Sequence, residues 1–184
     1  MPLQLHLACG KRYIPGFVHI DLDDFPHIDH RCRIDRLPMF SDESVDLVYC
    51  SHGLEYFDRP QAAEALREWL RVLKKGGILR LAVPDFSALV AIYAATGNLD
   101  EILGPLFGRM TVRSEAGESV IYHRTTYDFR SLERLCLMAG FRAVRHYNWR
   151  QTIHRDYDDY SQAYKPHMDK QGGVLISLNV EAEK

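Results

Sequence analysis

Leu3-Gln4-Leu5-His6-Leu7-Ala8-Cys9-Gly10 and, a short way on, Phe17-Val18-His19-Ile20-Asp21 decide the fold. Residues Leu3 to Ala8 alternate apolar and polar side chains and read as a strand. Phe17 to Leu22 reads as a second strand, with an acid, Asp21, at its end. Only the loop from Cys9 to Gly16 joins the two, closing with Pro15-Gly16. A parallel crossover normally needs about a dozen residues or more, most often a helix. A tight turn or one short 3₁₀ turn is therefore expected here.

Outward from that pair, Ile28 to Ile34 reads as a weak third strand followed by Asp35, and Leu37-Pro38 to Ser44 as a turn. Val45 to Cys50 is almost wholly apolar, as suits a parallel strand buried on both faces. Pro60 marks a helix start, and Ala62 to Leu73 carries an apolar stripe through Ala62, Leu66, Trp69, Leu70 and Leu73. Lys74, Lys75 and Gly76-Gly77 read as its stop. Ile78 to Val83 is a strand closed by Pro84, and Asp85 is placed to cap a helix over Phe86 to Ala95. A short helix is expected over Leu99 to Phe107, and Asp128 caps a helix that runs through Met138 and stops at Gly140. Phe141 to Tyr147 and Val174 to Val180 are the last strands, and 148–173 between them is polar and tyrosine-rich. Strands alternating with helices imply a parallel α/β sheet, whose ligands sit at the carboxyl ends of the strands. The Cys9-Gly10 loop, Asp21 and the segment after Cys50 all fall on that edge.

The 184 residues suit a single domain, 1–184, and 46% hydrophobic with 26% charged residues is ordinary globular composition. A net charge of -2 carries no basic excess, so a nucleic-acid partner is not expected. Neither a leader sequence nor an apolar run near ~18 residues is evident, which points to a cytoplasmic chain without a membrane partner. The scattered Cys9, Cys32, Cys50 and Cys136 read as reduced thiols. The nine histidines match no metal-ligand spacing, so no metal is expected.

Six stretches now fall into a known order. Leu7-Ala8-Cys9-Gly10 with Pro15-Gly16 resembles a glycine loop of L-x-C-G form, and Phe17-Val18-His19-Ile20-Asp21 a second strand with its terminal acid. Asp35-Arg36-Leu37-Pro38-Met39-Phe40 with Ser44-Val45-Asp46-Leu47-Val48 resembles D-x-L-P-F…S-x-D-x-V. Ser51-His52-Gly53-Leu54-Glu55-Tyr56 resembles S-x-x-L-E-H, Leu70 to Gly77 resembles R-V-L-K-P-G-G, and Ala139-Gly140-Phe141 resembles A-G-F. In this order they resemble the class I S-adenosylmethionine (SAM)-dependent methyltransferases, nearest to a short type 11-like subgroup. The resemblance implies a Rossmann-like α/β fold with a seven-stranded, mostly parallel sheet. Its last strand is antiparallel and inserted between strands five and six, with helices on both faces. The compressed first crossover departs from the family pattern.

The resemblance also implies SAM as cofactor and a set of residues to hold it. Asp21 would grip the ribose diol and Leu22 line the sugar or adenine. Gly10 would let the backbone approach the methionine end, with Ala8 and Cys9 contributing backbone groups. Lys11 or Arg12 would replace the positive charge of the missing helix. Asp35, with Arg36 beside it, would meet the adenine amine. Cys50, Ser51 and His52 would form the wall behind the methionine amine, Cys50 being equally readable as a core thiol. His52 and His123 are the candidate general bases, since imidazole titrates in the useful range. His154 and His167 are weaker candidates, and Glu55 reads as a loop anchor. Asp156-Tyr157-Asp158-Asp159-Tyr160 reads as a solvated loop rather than a metal site, with its tyrosines as a lid over the acceptor. The stretches 97–126 and 148–173 are expected to shape the acceptor pocket. The expected activity is O- or N-methylation of a small-molecule or glycan acceptor. A homodimer is one way to complete the pocket. A catalytically silent SAM-binding regulatory module is the alternative. A nicotinamide oxidoreductase ranks low, because Cys9 to Ile14 lacks G-x-G-x-x-G.

Overall fold

The computed structural model describes residues 2–114 and 117–184. Seven strands form the main sheet: β1 (Gln4–Leu7), β2 (Val18–Asp21), β3 (His30–Arg31), β4 (Val45–Ser51), β5 (Leu73–Pro84), β8 (Val144–His146) and β11 (Ser177–Glu183). Their order is β3-β2-β1-β4-β5-β11-β8. The β1–β2, β1–β4, β2–β3 and β4–β5 pairs are parallel, and β11 runs antiparallel to both β5 and β8. The last strand is thus inserted next to the sixth, as expected.

Register divides the sheet into two chemically different faces. Leu7, Ile20, Cys50, Leu81 and Val180 lie in cross-strand register, and Leu5, Val48, Leu79 and Ala182 in the row below. This face packs on α1 (Arg59–Val72) and α4 (Phe129–Ala139), through Ala62, Ala65, Leu66, Trp69, Leu132 and Cys136, all at zero exposure. Asp58 and Asp128 form capping boxes at the N-termini of α1 and α4, and Gly140 closes α4 in a left-handed conformation. The expected stop at Gly76-Gly77 is different. α1 ends at Val72, and the glycines lie within β5, which begins at Leu73.

Across the other face runs a polar and aromatic row, His19–His6–Tyr49–Arg80–Glu181–Arg145, each residue in register with the next. Its cover is not a crossover helix. The loop 8–17 turns twice, through Arg12 N–H to the Cys9 carbonyl and Phe17 N–H to the Ile14 carbonyl, and contains no helix. Ile14 and Phe17 from this loop pack on Leu47 and Tyr49. The rest of the cover comes from 148–163. There Thr152, His154, Asp159, Ser161 and Gln162 are all buried. This corrects the reading of Asp156 to Tyr160 as wholly solvated. Asp156, Tyr157, Asp158 and Tyr160 are exposed, but Asp159 accepts from the Tyr49 hydroxyl at 2.5 Å and from Ser161 N–H at 2.8 Å. Tyr49→Phe would strip that donor from a buried carboxylate. The expected cost is about 1–3 kcal/mol in urea unfolding, and an unchanged midpoint would show that the contact contributes nothing.

Two further helices flank this side. α2 (Phe86–Thr96) starts at Asp85, which accepts from Ser87 and Ala88 N–H, and α3 (Asp100–Phe107) follows. Leu89 and Ile92 of α2 join Ile102, Ala163 and Ile176 in a second apolar cluster. After α3 comes a hairpin, β6 (Met110–Ser114) with β7 (Gly117–Ile121), which the sequence reading did not anticipate. Positions 115 and 116, within the expected 97–126 insertion, lie outside the described residues. The strand expected over Val174 to Val180 divides into β10 (Val174–Leu175), which pairs with β9 (Tyr164–Lys165), and β11. The third strand, expected over Ile28 to Ile34, shortens to the two residues of β3.

Candidate active site

The carboxyl ends of β2, β1 and β4 lie side by side, and the backbone that leaves them is unusual. Ala8 after β1 and His52 after β4 both have positive φ, at 50° and 55°, although neither is glycine. Such conformations cost about 1–3 kcal/mol each and concentrate at functional sites. Gly10 follows at φ 51°, and a side chain built on it would meet nothing within 4 Å. The loop therefore curls with its Gly10 face open.

That curl brings Gly10 to Asp21. The Gly10 N–H donates to Asp21 Oδ2 at 2.8 Å, and Asp23 N–H to Oδ1 at 2.9 Å. Each carboxylate oxygen keeps a lone pair for a further donor. Leu22 beside it is 38% exposed, an apolar wall at the strand tip. Its carbonyl accepts from Arg31, whose guanidinium also donates to the Arg113 carbonyl. Arg31 thereby ties the β6–β7 hairpin to the tip of β2.

The two central loops touch at Ala8 and Gly53. A Cβ on Gly53 would lie 2.7 Å from the Ala8 Cβ and 2.8 Å from the Cys50 Sγ. Gly53→Ala is thus expected to destabilise the fold by about 1–3 kcal/mol and to displace Ala8. Thermal unfolding reads the first effect, and amide shifts at Ala8 and Gly10 the second. Wild-type values for both would show that the loops have slack.

The remaining expected residues separate in space. Cys9 is buried, its thiol pushed up to about 12 chiefly by burial, with the sulfur 3.9 Å from the Ile20 carbonyl. Cys50 is fully buried in the α1-facing cluster, and burial raises its thiol well above the ordinary range. Both offer backbone rather than sulfur chemistry to the cleft. Lys11 is exposed, whereas Arg12 lies near enough to Asp159 to favour its ionised form. Asp35 is gripped in bidentate fashion by Arg33, at 2.9 and 2.6 Å, while Arg36 is exposed. Arg33 is therefore the ion-pair partner of Asp35. Ser51 is buried, and its hydroxyl has no hydrogen-bond partner.

His52 and His123, far apart in sequence, converge on one atom. His52 Nδ1 is 3.4 Å and His123 Nε2 3.7 Å from Glu55 Oε1. Glu55 lies in the 3₁₀ turn Leu54–Tyr56 and has zero exposure. Its backbone carbonyl accepts from Arg124 N–H, which joins the post-β7 segment to this turn. The Tyr160 ring approaches His52 at 5.3 Å, and the Tyr56 ring meets His123 edge-on at 4.8 Å. His154 stacks on Tyr49 beneath the sheet, away from this group, and no metal-binding cluster of His, Cys, Asp or Glu exists among the described residues. Sequence reasoning passed over Gly53, Arg31 and the meeting role of Glu55. The one available signal was an acid set between Leu54 and Tyr56, in a run that continues a buried strand.

Comparison with known proteins bears on the fold. Residues 16–81 match the family model described as a methyltransferase domain. Among solved structures, a SAM-dependent methyltransferase from Mesorhizobium loti superposes with a TM-score of 0.55 and 18% identity, covering 99% of this chain and 90% of that one. A SAM-dependent methyltransferase from Archaeoglobus fulgidus gives 0.58 and 14%, covering 100% and 86%. No curated protein matches the sequence. The chain is an α/β protein with the class I methyltransferase fold. Its span 16–81, from the end of the first loop to the middle of β5, carries the methyltransferase-domain pattern itself.

Proposed function

We propose that the protein is a SAM-dependent methyltransferase acting on a small-molecule or glycan acceptor, at oxygen or nitrogen. The observation that carries this reading is the Gly10–Asp21 bond at the tips of β1 and β2. It aims a carboxylate with spare lone pairs at the space in front of an open glycine turn. The residues fit the nucleoside. Asp21 would accept from both ribose hydroxyls, Leu22 would cover one ring, and backbone groups of Ala8, Cys9 and Gly10 would meet the methionine end. Ser51, with its unpartnered buried hydroxyl, and the backbone of Cys50 and His52 would close the opposite wall. Asp35, already neutralised by Arg33, keeps acceptor capacity for an exocyclic amine.

When bound, SAM supplies an electrophilic methyl on a sulfonium. The chain contributes alignment and exclusion of water, which are the main demands of in-line transfer. The α3–β6–β7 segment and Tyr160 border the acceptor side, close to His52 and His123. A net charge of -2 supports a small acceptor over a nucleic acid. Four free thiols support a reducing, cytoplasmic setting, and among the described residues no helix is long and apolar enough to cross a membrane.

Calorimetry with SAM and S-adenosylhomocysteine tests the reading. Micromolar or tighter affinity supports it, and no affinity for either overturns it. A second reading, a catalytically silent SAM-binding module, is favoured by one observation. Both candidate histidines turn a ring nitrogen inward to Glu55 instead of toward the cleft. Tight SAM binding without turnover across hydroxyl and amine acceptor panels would select it.

A further inference from the structure

The hydrogen bonds around Glu55 fix where protons must be. Asn179 donates through Nδ2 to the Ser161 carbonyl at 2.8 Å, which turns its Oδ1 to Ser177. The Ser177 hydroxyl donates to that oxygen at 3.1 Å. The Ser177 oxygen is then left to accept, so His52 Nε2, 3.2 Å away, carries a hydrogen. His123 Nδ1 lies 3.1 Å from the Pro105 carbonyl, which has no hydrogen to give, so this nitrogen is also a donor. A neutral imidazole has one N–H. With the Tyr160 carbonyl also beside His52 and the Leu106 carbonyl beside His123, the one N–H of each ring is spent on its Ser177 or Pro105 side, which leaves His52 Nδ1 and His123 Nε2 as lone pairs 3.4 and 3.7 Å from Glu55 Oε1. The one donor that reaches the Glu55 carboxyl is its own backbone N–H, and no other residue hydrogen-bonds to either oxygen. An ionised Glu55 would put three side-chain acceptors together, out of water, with no side-chain proton among them and only the Glu55 backbone N–H to offset the charge.

We propose that one proton is shared among Glu55, His52 and His123 and resides on Glu55 in the resting protein. Glu55 is thereby a positioning residue that fastens the acceptor-side segment carrying His123 to the cofactor-side loop carrying His52. The assignment of sides rests on the methyltransferase reading; the location of the proton does not. Burial acts in the same direction, pushing Glu55 up to about 8, His52 down to about 3 and His123 below its ordinary value. Other groups facing the cluster are the Cys50 thiol from β4, Tyr56 from the 3₁₀ turn, Tyr127 from the approach to α4 and Tyr160 beside His52. Arg59 sits over the Tyr127 ring at 4.3 Å. Once the proton leaves, the three acceptors repel, and the His123 segment loosens from the loop after β4.

The test uses the full chain without cofactor. Carboxyl ¹³C resonances are expected to show Glu55 titrating above pH 7. Ring ¹⁵N shifts at pH 7 are expected to show His52 protonated at Nε2 and His123 at Nδ1. Glu55→Gln supplies an amide N–H where the acid supplies O–H. It is expected to keep both tautomers and to abolish the fall in unfolding midpoint that wild type shows between pH 7 and 9. Titration of Glu55 below pH 5, the opposite tautomer at either histidine, or an imidazolium at pH 7 would overturn the proposal. Should Glu55→Gln fail to fold, the wild-type titration decides alone. SAM affinity is measured separately and bears only on the cofactor reading.

Discussion

Asp21→Ala is expected to weaken SAM binding at least about 100-fold, with the protein still folded. The size follows from what is lost. Two hydrogen bonds from a ribose diol to a carboxylate contribute about 1.5–3 kcal/mol each, and about 1.4 kcal/mol is a factor of ten. The substitution also frees the Gly10 and Asp23 amides that the carboxylate holds at 2.8 and 2.9 Å. The loop after β1 then loses its fastening to β2 and must be reordered on binding. Asp21→Asn separates the two effects. Its amide oxygen can hold one of the two backbone donors, but its NH₂ presents hydrogens to a diol that needs an acceptor. It should therefore restore much of the loop order, read from the Gly10 amide shift, while recovering little affinity. Asp21→Ala binding SAM as tightly as wild type, with an ordinary thermal midpoint, would remove Asp21 from the cofactor site and with it the main support for the proposed function.

Why Asp21 was legible in the sequence, and Glu55 was not, is a matter of range. The strand Phe17 to Leu22 shows its period locally, and an acid at its end stands out without knowledge of any distant residue. The same holds for Asp58, Asp85 and Asp128, whose capping partners lie two or three positions away. Helix ends and the strong strand Val45–Ser51 were accordingly read nearly as they stand. The loop from Cys9 to Gly16 was also legible, because it is simply too short for a helical crossover. What replaces the helix was not. Ile14 and Phe17 reach Leu47 and Tyr49, and 148–163 closes over the same face, through contacts that span much of the chain. Nothing in a polar, tyrosine-rich stretch announces that its Asp159 will be buried against a tyrosine 110 positions away.

The hairpin β6–β7 escaped for the opposite reason. Its described side chains are mostly exposed, and apolar alternation is confined to Met110 and Val112, too short a run to mark a strand. At the site, His52 and His123 could each be named as an imidazole of suitable chemistry, but their convergence is a property of the sheet. β4 delivers His52 to the carboxyl edge, the chain leaves through β5, α2, α3 and the hairpin, and it returns beside the same edge with His123 hydrogen-bonded to Phe107 and Pro105. Glu55 between them follows a buried strand and reads as an anchor until both neighbours are in place. The Arg33–Asp35 pair, which the sequence reading did not include, is a smaller case. The chain turns at Ile34-Asp35, and that turn brings the Arg33 guanidinium back onto the carboxylate while Arg36 stays exposed.

Lowering the pH from 7 to 5 is expected to cost this fold roughly 2–4 kcal/mol of stability, more than most single substitutions. The cause is histidine buried in its neutral form. His154 has zero exposure, both ring nitrogens lack partners, and burial, with the Arg80 charge behind it, brings it down to about 3. Burial likewise brings His52 down to about 3, and His6, beside His19 in the polar row, well below its ordinary value. The sign is that of a depressed folded-state pKa. The unfolded chain takes up a proton near pH 6.5 that the folded chain refuses, so the penalty is absent above that value and grows as pH falls toward 3. At pH 5 each of His52 and His154 contributes a loss of about 2 kcal/mol, with His6 in the same direction. Glu55 opposes them. Raised to about 8, it holds its proton where the unfolded chain begins to ionise, and it returns about 2.5 kcal/mol over the same interval. The same group makes the protein lose stability as pH rises through 8, so the stability maximum falls near neutrality. Urea unfolding at pH 7 and 5 measures the difference. His154→Phe keeps the stack on Tyr49 and removes the group that charges, so it should shrink the acid loss by about 2 kcal/mol. It should also leave stability at pH 7 equal or higher, because an unpaired buried polar group has been replaced by an apolar one. A His154→Phe protein with the full wild-type acid loss would mean that His154 is hydrated and ordinary, and that the segment 148–163 does not seal the polar face of the sheet.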